Sequence, residues 1–254
     1  MLDTLRAARG VARSLWIYYL HRRGPRMDAF YRGLLSPGDL AFDIGSHVGD
    51  RIASFRRLGA RVLAVEPQPA LVRTLRLLYG RDPLVQIEAT AVGRDIGVGE
   101  LRLNLVNPTI STLSTGFIRA ARDADGWREQ RWEKSCPIVR TTLDDLIERN
   151  GVPRFIKIDV EGYEAEVLGG LTRSVDALSF EFTTIQKTVA RRALGECLRL
   201  DLVRFNAVLG EAYALVHDTW LDAESIGRWL DELPSAANSG DVYAVHADHP
   251  LPGR

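Results

Sequence analysis

The sequence has little cysteine and no long apolar run. Its two cysteines, Cys136 and Cys197, stand far apart and show no metal-ligand spacing. This excludes a disulfide framework and a cysteine-based zinc site, and it favours a reducing, cytoplasmic location. The apolar patch at residues 15–20 lies among arginines and is shorter than the roughly 20 residues that span a membrane. We therefore predict neither a transmembrane segment nor a signal peptide.

An excess of charge is also missing, because 33 basic residues balance 33 acidic ones. This balance argues against bulk electrostatic binding to nucleic acid. The 254 residues, 46% hydrophobic and 26% charged, are typical of a folded α/β domain. We predict an N-terminal helical extension over residues 1–36, followed by one domain over residues 37–254.

The stretch from residue 38 to 69 predicts the opening of a nucleotide-type α/β fold. It contains an apolar strand (40–44), a turn with two glycines (45–49), a helix (50–58) and a second strand (61–66). The first strand is apolar enough to be buried on both faces. In such folds the ligand lies at the carboxyl ends of the strands, beside the first turn.

Charge at this turn indicates which ligand it holds. A dinucleotide turn has three glycines so that backbone can approach a pyrophosphate, but here His47 takes the place of the middle one. Asp43 would repel a phosphate and suits a cationic ligand, while Glu66 is placed to accept both ribose hydroxyls. Together they favour S-adenosylmethionine over NAD. The alternative is that Asp43 only caps a turn and Glu66 is a solvated strand end.

Other segments carry weaker signals. A third strand is predicted over residues 84–87, with a small-residue loop at 88–91 beside the adenine. Residues 98–105 and 136–140 are predicted strands, and the polar tract at 107–116 is either a wall of the substrate mouth or a surface connection. Parallel strands at 155–160 and 177–182 and a closing strand pair at 212–216 and 241–246 complete the predicted sheet.

The extension carries an apolar helical face formed by Leu5, Ala8, Ala12, Leu15, Trp16 and Tyr19. We expect this face to cover the sheet or the cofactor. The alternative is a basic, amphipathic surface that meets a membrane, a carrier or a partner subunit, including a second copy of the chain.

The segment IKIDVEGYEAEVLGG (156–170), with FDIGSHVGD, AVEP and TTLDDLI before it, resembles the FkbM family of S-adenosylmethionine-dependent methyltransferases. The resemblance spans about residues 38–245. It implies a seven-stranded, mostly parallel Rossmann-like sheet and O-methylation of a hydroxyl on a sugar, glycan or natural product. Family members commonly have asparagine where His47 stands, which leaves the role of His47 open. The expected donor-binding residues are Asp43, Gly45, Ser46, His47, Gly49, Glu66, Pro67, Ala89, Ala91 and Asp159.

Methyl transfer to a hydroxyl needs a base that takes the proton as the new bond forms. Asp159 and Glu161 follow the fourth strand and Glu181 ends the fifth, so these three are the candidate catalytic residues. The same acids would also suit a divalent cation, or simply the N-terminal ends of helices. Of these roles we predict the base, and we assign no metal ligand. A non-catalytic donor-binding protein and a NAD-dependent oxidoreductase are the alternative functions.

Overall fold

The computed structural model describes residues 2–20 and 24–248 and is built around a seven-stranded sheet. The strands are β1 (Leu40–Ile44), β2 (Arg61–Val65), β3 (Val85–Glu88), β4 (Ala91–Val92), β5 (Gly97–Leu103), β6 (Lys134–Thr141), β7 (Phe155–Ile158), β8 (Ala177–Thr183), β9 (Leu202–Leu209) and β10 (Ser239–His246). The helices are α1 (Leu2–Leu20), α2 (Gly24–Tyr31), α3 (Asp50–Arg57), α4 (Pro69–Tyr79), α5 (Thr115–Asp123), α6 (Leu143–Asn150), α7 (Glu164–Gly169), α8 (Lys187–Arg199) and α9 (Ala223–Glu232).

The strand order of the main sheet is β3-β2-β1-β7-β8-β10-β9. Strands β3, β2, β1, β7 and β8 pair in parallel, and β10 runs antiparallel to both of its neighbours. Every residue of β1 and β7 is buried, because helices cover both faces of the sheet. The predicted fold, a seven-stranded and mostly parallel Rossmann-like sheet, is confirmed.

The two predicted strands in the middle of the chain, at 98–105 and 136–140, lie outside the main sheet. Strands β4, β6 and β5 form a separate three-stranded sheet, in which β5 and β6 are antiparallel. Along β5, Leu101 is the one buried residue, so the strand has a solvent-exposed face. Such a strand does not suit the centre of a sheet that is covered on both sides.

The predicted closing strand at 212–216 is wrong. The partner of β10 is β9, which pairs with it from Gly240 with Leu209 to His246 with Leu202. Helix α8 ends at Arg199, and Asp201 adopts a positive φ of 59° that starts the turn into β9. Residues 202–209 bury a stronger apolar run than residues 212–216, which form no strand and return to β9 through the N–H groups of Ala212 and Val216.

The N-terminal helix packs through a different face from the one predicted. Leu5 and Trp16 of the apolar face are 54% and 58% exposed, whereas Gly10 and Ser14 are buried. Gly10 lies so close to the carbonyl oxygen of Leu105 that a Cβ there would collide with it. Because a close approach of two backbones needs small residues, the small-residue side of α1 faces the protein.

Helix α2 joins the extension to the main core. Its Met27 and Tyr31 are buried in an apolar cluster with Phe55 of α3 and Phe155 of β7. The predicted break near Gly24 falls beside residues 21–23, which lie outside the described residues. Over the described part of the chain, no helix combines the length and the apolar character that crossing a membrane requires.

Candidate active site

A cavity of about 870 Å³, including its mouth, opens at the carboxyl ends of β1, β2 and β7. From β1 the chain continues to β2 on one side of the sheet, and from β7 it continues to β8 on the other side. Sheets of this order bind their ligand at the carboxyl ends of the two strands between which the direction changes. The walls come from the turn after β1, the segment after β2, residues 90–92, the polar tract at 107–116 and the segment after β7.

The turn after β1 depends on its glycines. Gly45 and Gly49 adopt positive φ values of 86° and 84°, which only glycine reaches readily. A Cβ at Gly45 would collide with the backbone carbonyl of Asp159, so the turn after β1 lies directly against the chain leaving β7. Ser46 fixes the turn by donating its hydroxyl to the carbonyl of Asp43 at 2.7 Å.

Asp43 is a buried acid without a full set of partners. It is 2% exposed, lines the cavity, and its Oδ2 has no hydrogen-bond partner among the described residues. Burial, with a smaller contribution from the nearby Asp50, raises the pKa of Asp43 to about 7. A cationic ligand would stabilise the ionised form of such a group.

Glu66 follows β2 and reaches back to the first turn. Its Oε2 accepts the backbone N–H of His47 at 2.9 Å, and its Oε1 accepts that of Gln68 at 2.8 Å. Burial nevertheless raises the pKa of Glu66 to about 8, because two backbone donors only partly replace water. Each oxygen retains lone-pair capacity for a ligand hydroxyl.

His47 is a neutral side chain of the cavity wall. Its ring packs edge-on against Tyr18 of α1, with 5.2 Å between ring centroids. Burial lowers the pKa of His47 to about 4. With so low a pKa, the imidazole of His47 carries no charge at neutral pH, so it would meet a ligand as a neutral hydrogen-bonding group.

The remaining predicted donor-binding residues do not all reach the cavity. Ser46, Pro67 and Ala91 line the cavity. Gly49 belongs to the turn but lies against Leu75 and Tyr79 of α4 and is not part of the lining. Ala89 is exposed and is not part of the lining; the next residue, Thr90, is buried there instead.

A second cavity, of about 1240 Å³ including its mouth, adjoins the first. Tyr18, Arg51, Thr109, Asp159, Glu161 and Glu211 line both cavities. Glu181 lines only the second. The polar tract at 107–116 therefore forms a wall between the two spaces, which favours the first of its two interpretations.

The three predicted catalytic acids meet where the cavities join. Asp159, Glu161 and Glu181 each offer a carboxylate oxygen within 4.8 Å of the others. Lys157, at the end of β7, donates to Asp159 at 3.2 Å and to Asp241 at 2.7 Å. Burial would raise the pKa of Asp159, but the charges of Lys157 and Arg51 hold it below its usual value. Burial and the neighbouring acids raise the pKa values of Glu161 and Glu181.

Three site residues escaped the sequence analysis. Tyr18 comes from α1, and Arg51 and Glu211 form a partly buried ion pair at 3.0 Å. Arg51 also pairs with Asp50 at 2.5 Å. The position of Arg51 directly after the glycine turn could have identified it. Glu211 lies in the loop after β9, and no local pattern in the sequence marks it.

The first cavity fits a nucleoside with a cationic end. Asp43 supplies an unpartnered buried carboxylate oxygen, and Glu66 supplies a carboxylate that can accept a pair of hydroxyls. Small and apolar side chains (Ala91, Val92 and Leu101) also line this cavity, as a flat base requires. These features fit S-adenosylmethionine and disfavour a pyrophosphate.

The chain resembles known methyltransferases. It is 30% identical over 153 residues to the hexuronic acid methyltransferase AglP of Haloferax volcanii, covering 59% of this chain and 57% of that relative. Structural similarity extends to the Aeropyrum pernix fibrillarin with bound S-adenosyl-L-methionine (TM-score 0.45, 13% identity, 86% of this chain and 73% of that one). It also extends to the precorrin-6Y C5,15-methyltransferase of Geobacter metallireducens (TM-score 0.43, 10% identity, 89% and 87%).

The family assignment rests on the sequence match to a domain family. The family model described as the methyltransferase FkbM domain matches residues 43–238, which include β1, the glycine turn, Glu66 and the Asp159 segment. This match excludes the NAD-dependent oxidoreductase considered above. The chain therefore belongs to the FkbM family of methyltransferases, and S-adenosylmethionine is its cofactor.

Proposed function

We propose that the protein is an O-methyltransferase that methylates a hydroxyl group of a sugar, a glycan or a natural product. The observation that best supports this function is the position of Asp159, which lines both cavities and is held in its ionised form by Lys157. A hydroxyl nucleophile needs such a base. The relative AglP, by name a hexuronic acid methyltransferase, supports a sugar-type acceptor.

Bound S-adenosylmethionine supplies an electrophilic methyl group on a sulfonium. In this proposal Asp43 faces the cationic end of the donor, and Glu66 accepts the ribose hydroxyls while its carboxylate stays fixed by His47 N–H and Gln68 N–H. The glycine turn allows the donor to approach the backbone closely. The second cavity then receives the acceptor.

Asp159 is the residue we assign as the base that takes the acceptor proton. Of the three clustered acids, its carboxyl has a pKa below the ordinary value, whereas the pKa values of Glu161 and Glu181 lie above theirs. Asp159 is therefore ionised at neutral pH in the free protein. Alignment of the acceptor oxygen with the methyl group contributes the other part of the rate.

The experiment is a screen of hydroxylated acceptors with a donor that carries a labelled methyl group. We expect label in an ether of a sugar or polyol. We expect Asp159→Asn to lower turnover by about 100-fold or more while donor affinity, measured by calorimetry, changes much less. The matched control is Asp231→Asn, because Asp231 lies on α9 outside both cavities.

Two results would contradict this function. Donor binding without transfer to any hydroxyl acceptor would favour a non-catalytic binding protein. Full turnover by Asp159→Asn would move the base to another residue.

A further inference from the structure

The acid cluster of Asp159, Glu161 and Glu181 lies at the junction of the two cavities and comes from two separate elements. Asp159 and Glu161 follow β7, whereas Glu181 lies within the neighbouring β8. Glu164 accepts the backbone N–H groups of Val160 and Gly162, at 3.2 and 3.1 Å, and so fixes the segment that carries Glu161. The three carboxylates are therefore held close together by the fold rather than by a flexible loop.

Two of these acids have unused binding capacity. Glu161 is only 5% exposed and lines both cavities, yet its carboxylate accepts no hydrogen bond from any residue that the structure describes. The Oε2 atom of Glu181 is buried and also lacks a partner among the described residues. Buried polar atoms are normally paired, so the Oε2 atom of Glu181, beside the Glu161 carboxylate that faces both cavities, indicates a ligand that the protein alone does not supply.

The protein cations nearby are already engaged. Lys157 is shared between Asp159 and Asp241, and Arg51 is shared between Asp50 and Glu211. Within residues 2–20 and 24–248, no lysine or arginine forms an ion pair with Glu161 or Glu181. Three carboxylates with one shared lysine leave a negative site that a doubly charged cation would neutralise.

We propose that Asp159, Glu161 and Glu181 bind one divalent cation, Mg²⁺ or Mn²⁺, where the first cavity, which holds the donor, meets the second, which we call the acceptor cavity. Hard divalent cations take six or more oxygen ligands, so three carboxylates leave positions open toward the acceptor cavity. A hydroxyl bound there would be acidified and oriented. The role in orienting the acceptor rests on the proposed function, but the cation site itself does not.

The test measures metal binding directly, without turnover. The full-length protein is stripped with a chelator, desalted and titrated with Mn²⁺, and the loss of the free-ion signal is followed by electron paramagnetic resonance. We expect one site per chain in the wild-type protein. Glu161→Gln and Glu181→Gln should each weaken binding by at least about tenfold. The control is Asp125→Asn, an exposed acid of the same cavity that lies outside the cluster, and it should bind Mn²⁺ as the wild type does.

Thermal unfolding of each metal-free variant keeps the result interpretable. Removal of one of three crowded carboxylates relieves repulsion, so the metal-free Gln variants should be at least as stable as the wild type. Donor binding to the same metal-free protein, measured by calorimetry, separates this proposal from the proposed function. No stoichiometric Mn²⁺ binding by the wild type, or equal binding by folded Glu161→Gln and Glu181→Gln, would overturn it.

Discussion

At the scale of single residues, the site is marked by acids that are buried without enough partners. Asp43 and Glu66 both line the first cavity, and burial raises the pKa values of both. An acid with a raised pKa destabilises the free protein when it ionises. A ligand that favours the carboxylate offsets that cost, so binding and deprotonation are coupled.

Glu66 gives this coupling a measurable form. Its ordinary pKa is 4.5 and its pKa in the folded protein is about 8, so the free protein loses stability from Glu66 as the pH rises from about 4.5 to about 8. Ribose hydroxyls donate to the carboxylate and favour its ionised form. We therefore expect the affinity for S-adenosylmethionine to rise between about pH 6 and 9, with proton release on binding at pH 7. Calorimetry in buffers of different ionisation enthalpy measures both quantities.

The matched variant is Glu66→Gln, which keeps the shape and cannot ionise. It should bind the donor more weakly and with a smaller pH slope. Some slope should remain, because Asp43, with a pKa of about 7, also faces the cavity, whereas His47 is neutral throughout this range. An unchanged slope in Glu66→Gln would show that Glu66 does not contact the donor.

At the scale of elements, the sequence predicts best where a local pattern matches a buried environment. Strand β1 was predicted at its observed bounds, because an apolar run followed by a glycine turn has few other solutions. Strand β9 was missed because it follows helix α8 after a short turn at Asp201, whose positive φ no pattern in the sequence marks. Glu211 could not be found, since its place in the site depends on long-range packing.

The orientation of α1 is the second failure of pattern analysis. The apolar stripe suggested a packing face, but Gly10 lies against the backbone carbonyls of Leu105 and Val106, and Ser14 is buried one turn further on. A packing face made of glycine and serine produces no apolar stripe, so periodicity in the sequence does not reveal it. Because Tyr18 of this helix lines both cavities, its position affects the site.

This placement of α1 predicts that Gly10→Leu weakens donor binding. The added side chain would collide with the carbonyl oxygen of Leu105 and displace the helix, and Tyr18 would move with it. We expect donor affinity to fall by roughly tenfold, as a loss of about 1.4 kcal/mol. The control is Ala8→Leu, which adds a leucine at an exposed position of the same helix. Calorimetry that gave equal affinities for the two variants would contradict the placement.

At the scale of the whole molecule, the extension and the sheet share one apolar core. Tyr31 of α2 packs edge-on against Phe55, with 4.9 Å between ring centroids, and lies 5.8 Å from Phe155. Tyr31 is fully buried, and its cluster continues into Tyr243 of β10. Residues 1–36 were predicted as an extension outside the main domain, but α2 contributes to the core beneath the sheet.

The shared core predicts that Tyr31→Ala destabilises the entire protein rather than the extension alone. The cavity left by a buried aromatic ring should lower the free energy of unfolding by about 3–5 kcal/mol. Tyr31→Phe is the matched control: it keeps the buried ring and removes only the hydroxyl, so it should change stability by about 1 kcal/mol or less. Urea unfolding followed by far-ultraviolet circular dichroism and by tryptophan fluorescence should show one transition that shifts as a unit in Tyr31→Ala. A main transition that stays in place while a small helical fraction melts early would instead show that α1 and α2 fold apart from the sheet.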